Sequence, residues 1–472
     1  MEEKRIVKPW QAGLMLLVGI AVIIVGLLVM KLNNRIVLAL DGVIMCLMAW
    51  CFGIPYAELQ QGIKETVSSM IVAILILLAV GVLVGTWMAS GTVPVMIYYG
   101  MKVLTPGLFL PVVCILCTLM STMAGTSWGT LATVGVACMG VAQGLGVLLP
   151  AAAGAVCTGA FFGDKVSPLP DSPVITATVC EVTLMDGIRH ALISTGPAYL
   201  ISLVFYFVYG LRYSGGSVGG EVYEDILSTV SAEFWLSPVL LLPVLVVVVL
   251  ILMKKPTIPT FIAGIAAGAV MAMLCQGVSL HDILAVMYSG FSADTGSDVV
   301  NSMLNRGGIT SMTGLLITFM VASVMGGIIT ATGILDVLAK DVLLKFIKSR
   351  GVLVTVTLIY CYIVNFLTAG GQTVAIIVTE QTFEDAFDRM GIHRRVLSRT
   401  LEDAGTLSAP IVPWGVATLY VMEVLGCGTE YIPYCWFIFI VPIFSILCAF
   451  SGFGIWDKDG NKMWGRKKAA AK

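Results

Sequence analysis

The chain has 472 residues and a formal net charge of −1. It is 58% hydrophobic and only 12% charged, with a mean hydropathy of +0.97, whereas an ordinary soluble domain carries about a quarter charged residues. That balance excludes a soluble globule and calls for a lipid bilayer as solvent; the near-zero charge offers no basic field for nucleic acid.

In chain order, apolar runs of about the 20 residues that cross a hydrocarbon core occur at 14–30, 36–54, 70–88, 191–208, 235–253, 258–275, 309–331 and 435–450. The charged start MEEKRIVKPW followed by the first run, with no small-residue cleavage site, reads as a first span and not a signal peptide. Residues 212–232 and 276–309 are more polar and read as loops or amphipathic connectors. The twelve cysteines lie mostly inside apolar runs and act as small packing residues. Cys114 and Cys117 have redox-motif spacing but sit mid-run without a βαβ context. The three histidines are scattered and form no metal constellation.

The remaining apolar material comes in two interrupted sets. The first runs 108–123, AGTSWGT (124–130), 131–149, 151–162, GDKVSPLPDSP (163–173) and 174–179; the second runs 352–367, TAGGQT (368–373), 374–378, a polar stretch, EDAGTLSAP (402–410) and 411–425. Each set has a small, hydroxyl-rich bend and then an acidic, proline-containing break. Corresponding interrupted segments in two halves are the sequence mark of a transporter binding site. Two repeats, 104–210 and 350–426, are therefore expected, the remainder being scaffold helices.

Lys4, Arg5 and Lys8 precede the first span and Arg466, Lys467 and Lys468 follow the last, which places both termini in the cytoplasm by the positive-inside rule. The 340–350 and 389–399 stretches are also basic, so the material between them should enter and return as a re-entrant hairpin with TAGGQT at its tip. The 108–149 hairpin, poor in basic residues, fits the same element inverted. Lys31 and Arg35, after the first span, run against this charge bias. The fold class expected is an all-α polytopic membrane protein with inverted repeats, re-entrant hairpins and broken helices.

In the first break, Pro168, Pro170 and Pro173 supply no backbone N–H and push the residues before them out of helical geometry. An extended or looped chain is expected there, tolerated at membrane depth only where it is buried in protein or lines a wet cavity. Asp164 and Asp171 supply anionic oxygen; Ser167, Ser172 and freed carbonyls supply neutral oxygen. That set suits a small hard cation such as Na+. In the second break, Pro410 and Pro413 should free the carbonyls of Thr406 and Ala409; Asp403 brings charge, and Thr406 and Ser408 hydroxyls. Asp164 and Asp403 are the expected Na+ ligands. Both acids of the Glu402–Asp403 pair cannot face one ion unless the helix opens, so Glu402 is expected to pair with Arg399 one turn earlier. Lys165 could be a counter-ion, a contact to an anionic substrate or a snorkelling side chain. At the tips, Gly125, Gly129, Gly370 and Gly371 allow tight turns. Thr126, Ser127, Thr130, Gln372, Thr373 and nearby Asn365 can complete a shell, and Trp128 can wall the cavity. A buried Asp that binds either Na+ or H+ makes the two compete for one site.

GTSWGT (125–130), GAFFGDKVSPLPDS (159–172) and LSRTLEDAGTLSAPIVPWG (397–415) resemble signatures of the NhaC family of sodium/proton antiporters, which includes malate/lactate antiporters coupled to Na+ and H+. The resemblance implies a scaffold plus a transport domain of inverted hairpins and broken helices, often assembled as a homodimer in the cell (inner) membrane. The first break departs from the family's SPLSDTT-like wording: Pro170 stands in place of a hydroxyl and Ser172-Pro173 in place of two threonines, while Asp164, Ser167 and Asp171 are kept.

Two functions are thus expected. The first is secondary antiport of Na+ and H+, with no cofactor. The alternative is Na+- and H+-coupled transport of a small organic anion or amino acid. Two acidic breaks argue against a channel, no HExxH or intramembrane serine motif marks an enzyme, and no Walker loop marks a pump.

Overall fold

The computed structural model describes residues 7–168, 171–214, 221–335, 337 and 347–463. Leu169, Pro170, the side chain of Asp171, Lys4 and Arg5, part of the basic 340–350 stretch, and Arg466, Lys467 and Lys468 lie outside the described residues. The protein is all-α. Eight of the described helices are long and apolar enough to cross a membrane, and ten spans result if each of two bent pairs is counted as one.

The first four helices are α1 (Pro9–Ile24), α2 (Asn34–Cys51), α3 (Tyr56–Ala89) and α4 (Thr92–Val103). α3 starts well before the expected 70–88 run. Its 34 residues span about 50 Å at 1.5 Å each, so a polar first third extends beyond a hydrocarbon core of about 30 Å. A hydropathy window cannot see a helix continue out of lipid. Next come α5 (Pro106–Ala124), the short α6 (Ser127–Thr130), a π-turn over Leu131–Gly135 and α7 (Val136–Gly144). α8 (Leu149–Val166), α9 (Asp171–Val179) and α10 (Leu184–Gly210) follow.

The connectors contain α11 (Glu221–Glu233), α14 (Leu280–Ser289) and α15 (Asp298–Leu304), and between them lie α12 (Leu242–Leu252) and the span α13 (Thr257–Cys275). The expected 235–253 span bends by 92° from the preceding helical segment, because Ser237 caps a new start at Pro238. The chain then forms α16 (Thr313–Thr332), α17 (Arg350–Leu367), α18 (Gln372–Arg389), α19 (Arg394–Leu401), α20 (Val416–Leu425) and α21 (Trp436–Ser451).

Small residues set the closest helix contacts, as they do where lipid supplies no hydrophobic drive between helices. α8 lies along α5. A Cβ at Gly159 would strike the Cys114 carbonyl, and one at Gly163 would come 2.5 Å from the Thr118 carbonyl. The approach is fastened by Ser121 Oγ donating to the Ala160 carbonyl at 2.6 Å and Thr118 Oγ1 to that of Gly159 at 3.3 Å. In the scaffold, α3 and α16 meet at Gly62 and Gly327 in the same way. The hairpins differ: α17 and α18 fold back on one another, whereas α5 packs mainly on α8 and less on its own return arm.

The contacted atoms at Gly159 are rigid backbone, so Gly159→Val should separate α5 from α8 and cost several kcal/mol, about 3 or more by the usual scale of overpacking. Gly196→Ala on α10, where an added Cβ meets nothing within 4 Å, should be neutral or stabilising by up to about 1 kcal/mol. Thermal unfolding of both variants in detergent checks the contrast.

Candidate functional site

The two breaks are narrower than the sequence suggests. α8 runs through Asp164 and Lys165 to Val166, so both lie on a helix's last turn and not on looped chain. Pro168 removes the donor that the Asp164 carbonyl would use, and that carbonyl instead accepts the Ser167 N–H at 3.4 Å. Helix resumes at Asp171 with Pro173 in its first turn, where proline is tolerated. In the second half the helical chain of α19 continues to Ile411 and is bent by 50° from α20. The break therefore falls at 412–415, after the acids. Pro413 frees the Ala409 carbonyl as expected, and Thr418 Oγ1 takes it at 3.4 Å.

Glu402–Thr406 form a π-turn, the inserted-residue geometry common at functional sites. It changes the facing of consecutive side chains. Asp403 turns to Lys165, with which it forms a fully buried ion pair. Glu402 turns to the first repeat: Thr176 Oγ1 lies 2.5 Å from its Oε1, and Thr406 Oγ1 lies 3.0 Å from its Oε2. The expected Glu402–Arg399 pair is not formed. Arg399 is fully buried and donates through Nη1 to the Gly454 carbonyl at 3.1 Å. Lys165 is only 1% exposed, which removes snorkelling and leaves the counter-ion role.

The Thr176 hydroxyl also lies 2.7 Å from the Ser172 carbonyl. It has one proton, and a carbonyl only accepts. The hydroxyl thus stands between the Glu402 carboxyl and the Ser172 carbonyl and ties the start of α9 to the second break.

Both hairpin tips reach this centre. Gly125 turns the first at φ +63°, and Ser127 Oγ donates to Asp164 Oδ2 at 3.2 Å. The second turns at Ala369 (φ +52°) and Gly370 (φ +83°). The Ala369 carbonyl accepts the Val416 N–H at 2.9 Å, tying the tip to the start of α20. Asn365 Nδ2 donates to the Gly405 carbonyl at 2.7 Å and to Ser408 Oγ at 2.6 Å; Ser408 donates to the Ala404 carbonyl at 2.5 Å. Trp128 packs against Tyr420, ring centroids 4.3 Å apart, and its carbonyl accepts the Tyr420 hydroxyl.

Polar contacts thus run from the first tip to the first break, across to the second break and on to the second tip. Asp164, Lys165, Ser127, Glu402, Asp403, Thr406, Ser408 and Asn365 are brought together. Ser167 and Ser172 are buried beside them. Thr126 caps α6, and Gln372 and Thr373 stand half-buried at the start of α18, all three outside this network. Thr176 is the participant that sequence reasoning missed; its signal is a hydroxyl one helical turn after Ser172, on the same face of the helix.

Among the described residues, Asp403 Oδ2, Asn365 Oδ1 and Ser172 Oγ are buried without a hydrogen-bond partner. Buried oxygens left unmade are costly, and one anionic plus two neutral oxygens are the donor types that a monovalent hard cation takes. At the α19 end, His393 Nδ1 accepts the Arg395 N–H at 3.2 Å. Burial, then the Arg395 charge, holds the His393 imidazole below its ordinary pKa, which keeps that nitrogen free to accept.

A sequence profile described as the Na+/H+ antiporter family matches residues 5–180 and 159–453. The chain is 34% identical to the malate-2H+/Na+-lactate antiporter of Bacillus subtilis over 99% of its own length and all of that protein's. It is 35% identical to the Na+/H+ antiporter NhaC of Alkalihalophilus pseudofirmus, over 93% and 96% of the two chains. It is 33% identical to the arginine/ornithine antiporter ArcD of Halobacterium salinarum, over 86% and 84%. With its helical, multi-span architecture and paired broken helices, the chain belongs to the Na+/H+ antiporter family.

Proposed function

We propose that the chain is a secondary antiporter that exchanges Na+ for H+ across the cell (inner) membrane by alternating access, with Asp403 as the carboxylate that Na+ and the Lys165 ammonium occupy in turn and Lys165 as the group that gives up the proton. The Lys165–Asp403 pair carries this reading: it is buried, it joins the two breaks, and it occupies the position a transported cation would take. Family membership and the NhaC relatives support it. No cofactor or covalent step is needed; Na+ and H+ are cargo.

In the state described, Lys165 supplies the positive charge. A Na+ ion that reaches Asp403 meets Asp403 Oδ2, a buried carboxylate oxygen with no hydrogen-bond partner among the described residues in this state. It displaces the ammonium, which is then buried without a counter-charge. That state costs several kcal/mol and is relieved when Lys165 gives its proton to water. The site passes from Lys+/Asp− to Na+/Asp− with one proton released, and its net charge is unchanged. Asp164, held by Ser127, adds negative potential beside Lys165.

Both termini facing the cytoplasm, hairpins that enter and return from opposite sides, repeats over 104–210 and 350–426, and a homodimer are parts of the same proposal. They are supported by the basic flanks, the paired tips and breaks, and the long exposed apolar helix faces. A second reading, coupled movement of a small organic anion, is favoured by the malate/lactate relative, which the chain covers in full.

Proteoliposomes carrying a pH dye test the main reading. A Na+ pulse should drive protons in the opposite direction, and Asp403→Asn should reduce the signal to that of empty vesicles; full exchange by Asp403→Asn would refute the site. Lys165→Met leaves a buried carboxylate alone, at a cost of about 3–5 kcal/mol. This variant should melt well below the unmodified protein in choline chloride and regain most of the difference in NaCl. Equal melting in both salts would mean that Asp403 does not take Na+. Glu402→Gln retains side-chain hydrogen bonding and should keep both fold and exchange within a few-fold, whereas a loss as deep as that of Asp403→Asn would show that Glu402 works as an anion.

A further inference from the structure

A cavity of about 500 Å3 lies away from the central network, at the end of the second broken helix opposite Arg394. Its polar lining includes Ser289, Asn305, Arg306, Thr310 and Ser311, facing Glu423 of α20. Arg306 is delivered from a fixed loop. Gly307 and Gly308 have φ of +88° and +81°, the Gly308 N–H donates to the Gly81 carbonyl at 2.7 Å, and Asn305 both donates to and accepts from the backbone of Ala293.

Arg306 Nε is held by the Ser302 carbonyl at 3.3 Å, and its guanidinium lies against Gly426, where a Cβ would collide with it. Among the described residues Arg306 forms no ion pair. Arg35, packed on Gly314 beside the same cavity wall, also acts electrostatically on Glu423. With Glu430 folded against Gly428, two guanidinium groups stand near two carboxylates, and Arg306 is within ion-pair distance of neither. This arrangement gives Arg35 a place despite the charge bias of its loop. An unpaired guanidinium at the wall of a polar cavity has no use on a Na+ route, because it repels the ion. A carboxylate ligand can use it, since a guanidinium takes a carboxylate through two parallel N–H···O bonds.

We propose that this cavity is a vestibule for a small organic carboxylate, with Arg306 as the group that holds the carboxylate and the surrounding hydroxyls and Asn305 as partners for a neighbouring hydroxyl or amino group. The proposal rests on the transporter reading above and names a substrate class for it. Arg306 also sits at the C-terminal end of α20, where a cation suits the helix dipole. Capping alone explains a gain in stability but no ligand binding, so the two roles separate by experiment.

The full chain in nanodiscs is titrated calorimetrically with L-malate, L-lactate and L-alanine, in NaCl and in choline chloride. At least one of the three should bind. Arg306→Gln should weaken that binding by at least about tenfold (about 1.4 kcal/mol), and Arg306→Lys, which keeps charge but loses the fork, by less. Glu423→Gln, which removes a repelling carboxylate, should tighten it; a capping role predicts no such change. Binding by none of the probes, or equal binding by Arg306→Gln and Glu423→Gln, overturns the vestibule. Na+-evoked proton movement is recorded separately on the same preparation. If it is present without carboxylate binding, the vestibule fails and antiport stands; if carboxylate binds but proton movement is absent, the reverse holds.

Discussion

A lysine and an aspartate shut away from water must satisfy each other, and the Lys165–Asp403 pair governs what the rest of the centre can do. Such a pair is weak evidence for stability, since desolvation offsets most of the attraction. Its value lies in the penalty for breaking it. A buried charge left alone costs about 3–5 kcal/mol, which makes a half-occupied state about two to four orders of magnitude rarer. In the exchange proposed above, Lys165 leaves Asp403 only as another cation arrives, and that cation leaves only as the ammonium returns. Coupling of the two cargoes would then follow from electrostatics in a dry site, with no need for a mechanical latch.

The pair forms because the backbone is interrupted on both sides of it in different ways. On the first repeat, Pro168 ends a helix just after Lys165, so the lysine projects from a last turn. On the second, a π-turn redirects Glu402 and Asp403 while the helix continues. The two acids consequently take separate jobs. Asp403 meets charge, and Glu402 meets the hydroxyls of Thr176 and Thr406. The buried ionisable groups of the centre are Asp164, Glu402 and Asp403 beside Lys165 and Arg399, groups of both signs that apolar surroundings tolerate far better than an excess of either.

Much of this was legible before any coordinates. Composition alone calls for the bilayer, and two bends followed by two acidic, proline-bearing breaks point to Asp164, Lys165, Ser127, Glu402, Asp403, Thr406, Ser408 and Asn365, though not to Thr176, while Thr126, Gln372 and Thr373 stand apart. What escaped is what one-dimensional patterns do not encode. Helix persists through Lys165 because Pro168 lacks only its own N–H, which leaves the Asp164 carbonyl without its usual partner while the turns before it keep theirs. The sequence EDAGT carries no sign of a π-turn, so Glu402 was assigned by α-helical spacing to Arg399, a residue that instead points to the Gly454 carbonyl. Ala369 at positive φ was equally invisible, because only glycine announces that geometry. The 92° bend at 233–238 was hidden by hydropathy that averages across it.

The broken helix that carries Asp403 is gripped at both ends, and the grips differ in kind. At the α19 end, the segment after α21 wraps it: Arg399 bonds Gly454, the His393 N–H donates to the Trp456 carbonyl at 3.0 Å, Ile392 bridges to Asp457, and the Arg395 guanidinium lies 5.5 Å from the Trp456 ring centre. Arg394 adds ion pairs to Glu384 and Asp388 of α18 and to Glu181 after α9. These bonds hold together elements of both repeats. At the other end, α20 is tied to the second tip through Val416 and Ala369, but its last turn meets the 305–312 loop across an open polar cavity. A rearrangement that opened Asp403 at the α19 end would have to break several charge-assisted bonds together, whereas the α20 end meets the 305–312 loop through the Arg306 guanidinium against Gly426, beside the open cavity. The end with fewer polar ties is therefore the α20 end, where the centre can open without breaking the bonds that aim Lys165 at Asp403.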